Sequence, residues 1–182
     1  MSRRRAREVK EARRLQMLQR YERQRARNVL ATPGIHRFAL VLDNLKAGYN
    51  VAKIFRSAEA FGAAEVHLVN IGPFDPAPAK GAFRKVPARF HDSFEACRHD
   101  LATRDFQIFA LIPTGEEPLP DTRLPADAAF VFGHEEHGLS FDPDDFPDIR
   151  TLRIPQAGST QSLNVSVAAS IAMYEYLRQH RD

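Results

Sequence analysis

The chain has 182 residues, 43% of them hydrophobic, with 26 Lys/Arg against 23 Asp/Glu and a single cysteine. That length and apolar content fit one domain with a sizeable core plus a tail, and exclude two full domains. One cysteine excludes an intrachain disulfide, no apolar run approaches the roughly 20 residues of a membrane span, and the amino terminus lacks the apolar region of a secretory signal, so a cytoplasmic protein without membrane partners is expected.

The positive charge is concentrated at one end. Residues 1–30 hold 11 Lys/Arg against 3 Glu, leaving 15 Lys/Arg against 20 Asp/Glu in the other 152 residues, a net of −5. A basic arm on a mildly acidic body is the pattern expected for a nucleic-acid partner, because cationic side chains release counterions condensed on phosphates. A solvated charged tail is the plain alternative. Residues 2–29 contain neither Gly nor Pro and are rich in Arg, Gln, Glu and Ala, which predicts helix. Leu15, Met17, Leu18 and Tyr21 give that helix only a thin apolar stripe, so it is expected to face solvent and to order on RNA or against a partner subunit. Glu8, Glu11 and Glu22, with the scarcity of Ser, argue against an organellar transit peptide. Thr32-Pro33-Gly34 ends the arm (residues 1–30), and the body is taken as 36–182.

Along the body, apolar runs alternate with helical patterns. Strands are predicted at 38–42, 66–69, 107–112, 129–132 and 151–154, and helices at 49–61, 92–103 and 162–180. Strands separated by helices of this length predict an α/β fold with a mostly parallel sheet covered on both faces. The Pro-rich stretches 71–88 and 113–128 read as long loops facing a substrate. Cys97 falls in the amphipathic helix 92–103 and reads as an inert core thiol.

Three segments carry the chemistry. In the first, Asn50-Val-Ala-Lys-Ile-Phe-Arg56, Asn50 is placed to cap the helix start. Val51, Ile54, Phe55, Ala58 and Phe61 face the core, and Gly62 permits a left-handed turn at the carboxyl end. The ordinary role for Arg56 is a surface ion pair. The second, Gly133-His-Glu135-Glu-His-Gly138-Leu139-Ser, follows the strand 129–132, where glycines allow the backbone to approach a ligand beyond the strand end. His134 and His137 lack the i, i+4 helical spacing and third ligand of a zinc site, so no metal is expected. The third, Ile154-Pro155-Gln-Ala-Gly158-Ser-Thr-Gln-Ser162-Leu163-Asn164-Val-Ser166, is at minimum a capped buried helix, with Ser162 as N-cap and Leu163, Val167, Ala168, Ile171 and Tyr174 as core. Dinucleotide-fold, P-loop and nucleophile-elbow signatures are all missing. Asp142, Asp144, Asp145 and Asp148 lack the Gly and Glu of a calcium loop and read as solvated surface.

Together and in this order, the three segments resemble the motif set of the SpoU-TrmH family of S-adenosylmethionine-dependent RNA 2′-O-ribose methyltransferases, over residues 36–180. The third is the most specific, matching Ile-Pro-x-x-Gly and Ser-Leu-Asn-Val-Ser-Val-Ala almost letter for letter. The resemblance implies a SPOUT-class α/β domain knotted as a trefoil near its carboxyl end, a topology that physical rules alone would never propose. It further implies a homodimer, with S-adenosylmethionine as methyl donor and S-adenosylhomocysteine as product.

By the same resemblance, Arg56, Asn50 and Glu135 would be the catalytic set. Gly133, Gly138, Leu139, Ile154, Pro155, Gly158, Ser162, Leu163 and Asn164 would hold the cofactor. Arg3, Arg4, Arg5, Arg13 and Arg14 would grip RNA, either tRNA or rRNA, through phosphates that position it without specifying its sequence. A guanidinium is a poor base at neutral pH, so Arg56 is expected to hold a phosphate and stabilise developing oxyanion charge. The alternative is a catalytically silent RNA-binding or assembly factor that keeps the fold. An unrelated α/β domain would require three coincidences in sequence order.

Overall fold

The runs Ala-Leu-Val-Leu-Asp, Glu-Val-His-Leu-Val and Ala-Ala-Phe-Val-Phe form strands β1 (Ala39–Asp43), β2 (Glu65–Val69) and β6 (Ala128–Phe132), every residue of which is buried. Continuous apolar runs of this kind are what a parallel sheet covered on both faces requires. The computed structural model describes residues 3–181. It contains helices α1 (Arg3–Asn28), α2 (Tyr49–Ala60), α3 (Phe94–Ala102) and α4 (Val165–Gln179), and the further strands β3 (Ala88–His91), β4 (Gln107–Leu111), β5 (Glu117–Pro118) and β7 (Ile149–Arg153). The sheet order is β3-β2-β1-β6-β4-β7-β5, with every pairing parallel.

The two faces of β1 belong to two cores. Phe38, Leu40 and Leu42 pack with α2, α4 and Tyr21 of α1. Ala39 and Val41 pack with Phe94, Cys97 and Leu101 of α3. Period-two alternation thus divides one strand between two layers. The expected α/β class and helix-covered faces are what the structure has.

Four local expectations are corrected. The stretches 71–88 and 113–128 are not wholly loop. β3 lies at one edge of the sheet and β5, two residues ending in Pro118, at the other, and edge strands can be short and polar without an apolar signal. Asn50 does not cap α2. It is the second helical residue, Gly48 occupies the cap without a side-chain bond, and the Asn50 amide is used elsewhere. Helix α4 starts at Val165, not Ser162, because Asn164 is the cap and its side chain accepts the Ser166 N–H at 2.9 Å. Finally, α4 buries Val165, Ala169, Ala172, Met173 and Tyr176, while Val167 and Tyr174 are about half exposed. The helix carries two apolar stripes: Ala168 and Ile171 of the expected one are partly buried against the core, but the fully buried positions belong to the stripe that periodicity did not favour.

The arm is docked as well as helical. Tyr21 is buried against Phe74 and Phe83, with ring centroids 5.3 and 5.6 Å away. Asn28 donates to the carbonyls of Phe83 and Val86 and accepts from the Ala88 N–H at the start of β3. The carboxyl half of α1 is therefore fastened to its own body without RNA or a second subunit, and residues 5–16, all exposed, extend from it. The side chains of Arg3 and Arg4 lie outside the described residues.

Under the α3 face sits a buried polar cluster. The His67 Nε2–H donates to Glu65 Oε1 at 3.0 Å, leaving Nδ1 to accept from His91 Nε2–H at 2.9 Å. The two rings are 6° from parallel with centroids 5.1 Å apart, so both nitrogens lie on the line between the centroids. Such an in-line pair is a hydrogen bond, whereas two metal-binding lone pairs would converge on a point off that line. Cys97 approaches His67 Nδ1 at 3.4 Å. Burial first, then the charges of Asp100 and Asp43, push its thiol up to about 12, as suits an inert core thiol.

Candidate active site

The carboxyl ends of β4, β6 and β7 open onto one cavity, where ligands bind in open parallel sheets. Its volume is about 490 Å³, within the range of cofactor pockets. Its walls are apolar where β4, β6 and β7 end, at Leu111, Ile112, Phe132, Leu152 and Ile154. The loop 133–140 and the segment 161–165 close it. Gly133 is required there, since a Cβ on it would stand 2.4 Å from the carbonyl carbon of Gly138. Gly138 takes φ +72°, a left-handed conformation that costs glycine little.

Of the proposed cofactor residues, Gly133, Gly138, Leu139, Ile154, Ser162, Leu163 and Asn164 line this cavity, whereas Pro155 and Gly158 do not. An apolar slot of this volume with a rim of Glu135, Gln156, Gln161, Ser162 and Asn164 suits an adenosine with a polar, charged tail. The donor set therefore fits S-adenosylmethionine.

At the mouth of the cavity, Asn50 Nδ2 donates to Glu135 Oε1 at 2.8 Å, and the Lys46 N–H reaches Glu135 Oε2 at 3.4 Å. Burial alone would raise the Glu135 carboxyl, but hydrogen bonds from Asn50, its own backbone and Lys46 outweigh it and hold the group below the usual carboxylate range. Asn164 Nδ2 donates to Asn50 Oδ1 at 3.3 Å, and Asn164 Oδ1 accepts from the Ser166 backbone and hydroxyl. Residues from all three motifs, two of them from the third, thus join a single polar chain, Glu135–Asn50–Asn164–Ser166.

Arg56 does not line the cavity. It lies on the exposed face of α2, in an adjoining groove between α2 and α4, with Lys53, Lys80, Ser166 and Tyr174. Among the described residues it has no carboxylate partner. Ser166 lies in this groove and also ends the polar chain, so the chain runs from the cavity to the groove. Arg13 and Arg14 are exposed on the projecting part of α1.

The motif reading did not single out Asp43. This wholly buried residue ends β1, and its carboxylate accepts from the Ser140 backbone N–H at 2.6 Å and its hydroxyl at 2.8 Å, fixing the end of the glycine loop. Burial pushes the Asp43 carboxyl up despite both bonds. The signal for it was an acid ending an apolar parallel strand, where binding residues concentrate.

Comparison with known proteins bears on what this arrangement does. A sequence profile of the SpoU rRNA Methylase family matches residues 37–174. The tRNA (guanosine(18)-2′-O)-methyltransferase of Thermus thermophilus is 30% identical over 146 residues, covering 77% of this chain and 74% of that protein. The structure that gave insights into the 2-OH methylation of C/U34 on tRNA superposes with a TM-score of 0.68 at 31% identity, covering 79% of this chain and 96% of that one. The SpoU methyltransferase AviRb of Streptomyces viridochromogenes, solved with the cofactor AdoMet, superposes with a TM-score of 0.72 at 25% identity, covering 81% of this chain and 62% of that one.

Proposed function

The chain belongs to the SpoU rRNA Methylase family, and we propose that it transfers a methyl group from S-adenosylmethionine to a ribose 2′-hydroxyl of structured RNA, tRNA or rRNA. The observation that carries this reading is the polar chain Glu135–Asn50–Asn164–Ser166, which ties the cofactor cavity to the groove holding Arg56.

The cofactor supplies an electrophilic methyl group on a sulfonium. Bound in the cavity, it would give up its methyl group to the 2′-oxygen and leave as the thioether S-adenosylhomocysteine, with the hydroxyl proton passing to water. Arg56 holds a phosphate beside the acceptor ribose and stabilises negative charge growing on the 2′-oxygen. Glu135 and Asn50 keep the mouth of the cavity in one hydrogen-bonded arrangement, so that alignment of donor and acceptor supplies much of the rate gain. Leu139, Ile154 and Leu163 exclude water from the cofactor, with Ser162 and Asn164 at its polar end; Pro155 and Gly158 shape the loop beyond.

The same reading includes a trefoil knot through the segment that follows β7, and a body of residues 36–182 served by a basic arm of residues 1–30. Arg3, Arg4, Arg5, Arg13 and Arg14 of that arm grip RNA phosphates. Val167, Ile171 and Tyr174 form an apolar stripe beside Arg56, and a second copy of the chain is the proposed cover, which would make the active unit a homodimer. No helix among the described residues is long and apolar enough to cross a membrane, in keeping with a cytoplasmic site of action.

Transfer of tritiated methyl from S-adenosylmethionine into separate tRNA and rRNA pools tests the assignment. Label on ribose in one pool, lost with Arg56→Ala, is the expected result. Cofactor binding without label in either pool would favour a silent RNA-binding factor.

A further inference from the structure

Resting on the RNA methyltransferase reading, we propose that the stacked imidazoles of His134 and His137 are a nucleobase platform that receives an unpaired base of the substrate RNA at the mouth of the cofactor cavity.

The two rings flank Glu135 in sequence and stack on each other, with centroids 4.6 Å apart and planes 18° from parallel. Backbone bonds hold them there. The His134 N–H donates to the Gly138 carbonyl at 2.7 Å, and the Gly138 N–H returns to the His134 carbonyl at 2.9 Å, closing a small antiparallel bridge. The Glu136 N–H donates to His134 Nδ1 at 3.0 Å, which fixes the inner ring and places the proton of its neutral form on Nε2. His134 lines the cavity, while His137 is exposed.

Loop histidines without a partner are free to adopt many rotamers. This pair is instead built with its inner member pinned and its outer member open. It stands beside the Asn50–Glu135 bond, where the acceptor ribose must come if a methyl group is to reach it. Proteins that read RNA bind unstacked bases of loops and bulges against aromatic side chains, His included, and such stacking is tolerant of base identity because every base offers a π face. The platform therefore selects for a nucleotide in a single-stranded loop over one stacked in a helix, and leaves base identity to other contacts.

Steady-state kinetics and equilibrium RNA binding with the separated tRNA and rRNA pools test the platform in His137→Ala, His137→Phe and His137→Lys. Loss of one stacked base weakens RNA binding on the order of tenfold. The expected pattern is a rise of that size in KM and Kd for RNA with His137→Ala, recovery with His137→Phe, no recovery with His137→Lys, and unchanged affinity for S-adenosylmethionine throughout. Recovery by His137→Lys but not His137→Phe would make the contact a phosphate and overturn the platform. So would unchanged RNA affinity in His137→Ala, or a loss that falls on the methyl donor. Wild-type turnover reads the methyltransferase assignment, whereas RNA affinity across the variants reads the platform even without turnover, so the two can fail separately.

Discussion

Asn50 and Glu135, 85 residues apart in the chain, meet through one hydrogen bond of 2.8 Å that joins the first motif to the second. Because Glu135 takes the amide N–H, the Asn50 carbonyl is left to accept from Asn164. An aspartate has the shape but neither donor. Asn50→Asp would place a second carboxylate against the first, and one of the two would then hold its proton well above the usual range. We expect kcat/KM for methyl transfer to fall about 100-fold at pH 8, with part of the loss recovered near pH 6 as the pair takes up a proton. Rates measured across that interval check it; a loss independent of pH would mean that the charge on Glu135 is immaterial.

Asp43 fastens the loop that closes the cavity. Asp43→Ala removes the acceptor of the Ser140 N–H and hydroxyl, at a cost of about 1 kcal/mol for each part-buried bond, and frees the Gly138–Ser140 segment. Affinity for S-adenosylmethionine should drop by about tenfold or more, as measured by calorimetric titration. Asp43→Asn retains an acceptor and should bind the cofactor far better than the alanine variant. The pH dependence has a definite sign: a carboxyl raised by burial binds its proton more tightly in the folded state, so its contribution to stability falls as pH rises through the raised pKa. In Asp43→Asn that slope should vanish from urea melts.

Glu65 behaves in the opposite sense. Burial alone would raise its carboxyl, but bonds from His67, Arg89 and Arg104 overwhelm that and bring it down to about 2. With the folded pKa below the unfolded one, its stabilisation is present above about pH 4.5 and is lost as pH falls toward 2. Glu65→Gln should remove about 3 kcal/mol at pH 7 and much less at pH 2.5. Melts of both proteins at the two pH values read the difference directly. An equal loss at each would show that packing, and not the charge, matters at this position.

What the sequence disclosed follows the strength of its periodic signals. β1, β2 and β6 are fully buried and were legible as apolar runs; β3 and β5 sit at sheet edges, where Arg89, His91 and Glu117 carry no alternation. For α4 the pattern contained two apolar stripes. Only tertiary packing chose Val165, Ala169 and Tyr176 over Val167 and Tyr174, and only backbone geometry moved the cap from Ser162 to Asn164. Asn50, Glu135 and Asn164 could be picked out by motif, but not that they bond to one another, since contacts between residues 85 and 114 apart leave no mark on local pattern. Nor could spacing along α2 reveal that Arg56 faces a groove beside the cavity and not the cavity itself.

The basic arm has two parts that should separate on truncation. Residues 17–28 include the anchors Tyr21 and Asn28, and removing them would tear out a buried ring, two buried hydrogen bonds and one part-buried one. Tyr21→Ala alone should cost about 3 kcal/mol in thermal or urea unfolding, the usual loss for an aromatic side chain taken from a core. Residues 1–16, by contrast, hold seven Lys/Arg and two Glu, and the described side chains among them, 5–16, contribute none to the buried core. Their deletion should leave the melting transition in place. It should weaken RNA binding at low salt and flatten the dependence of log Kd on log salt, because each lost phosphate contact reduces the counterions released. Parallel titrations from 50 to about 200 mM salt would show the wild-type and truncated lines converging. Lines of equal slope would place the phosphate contacts on the body, around Lys53, Arg56 and Lys80.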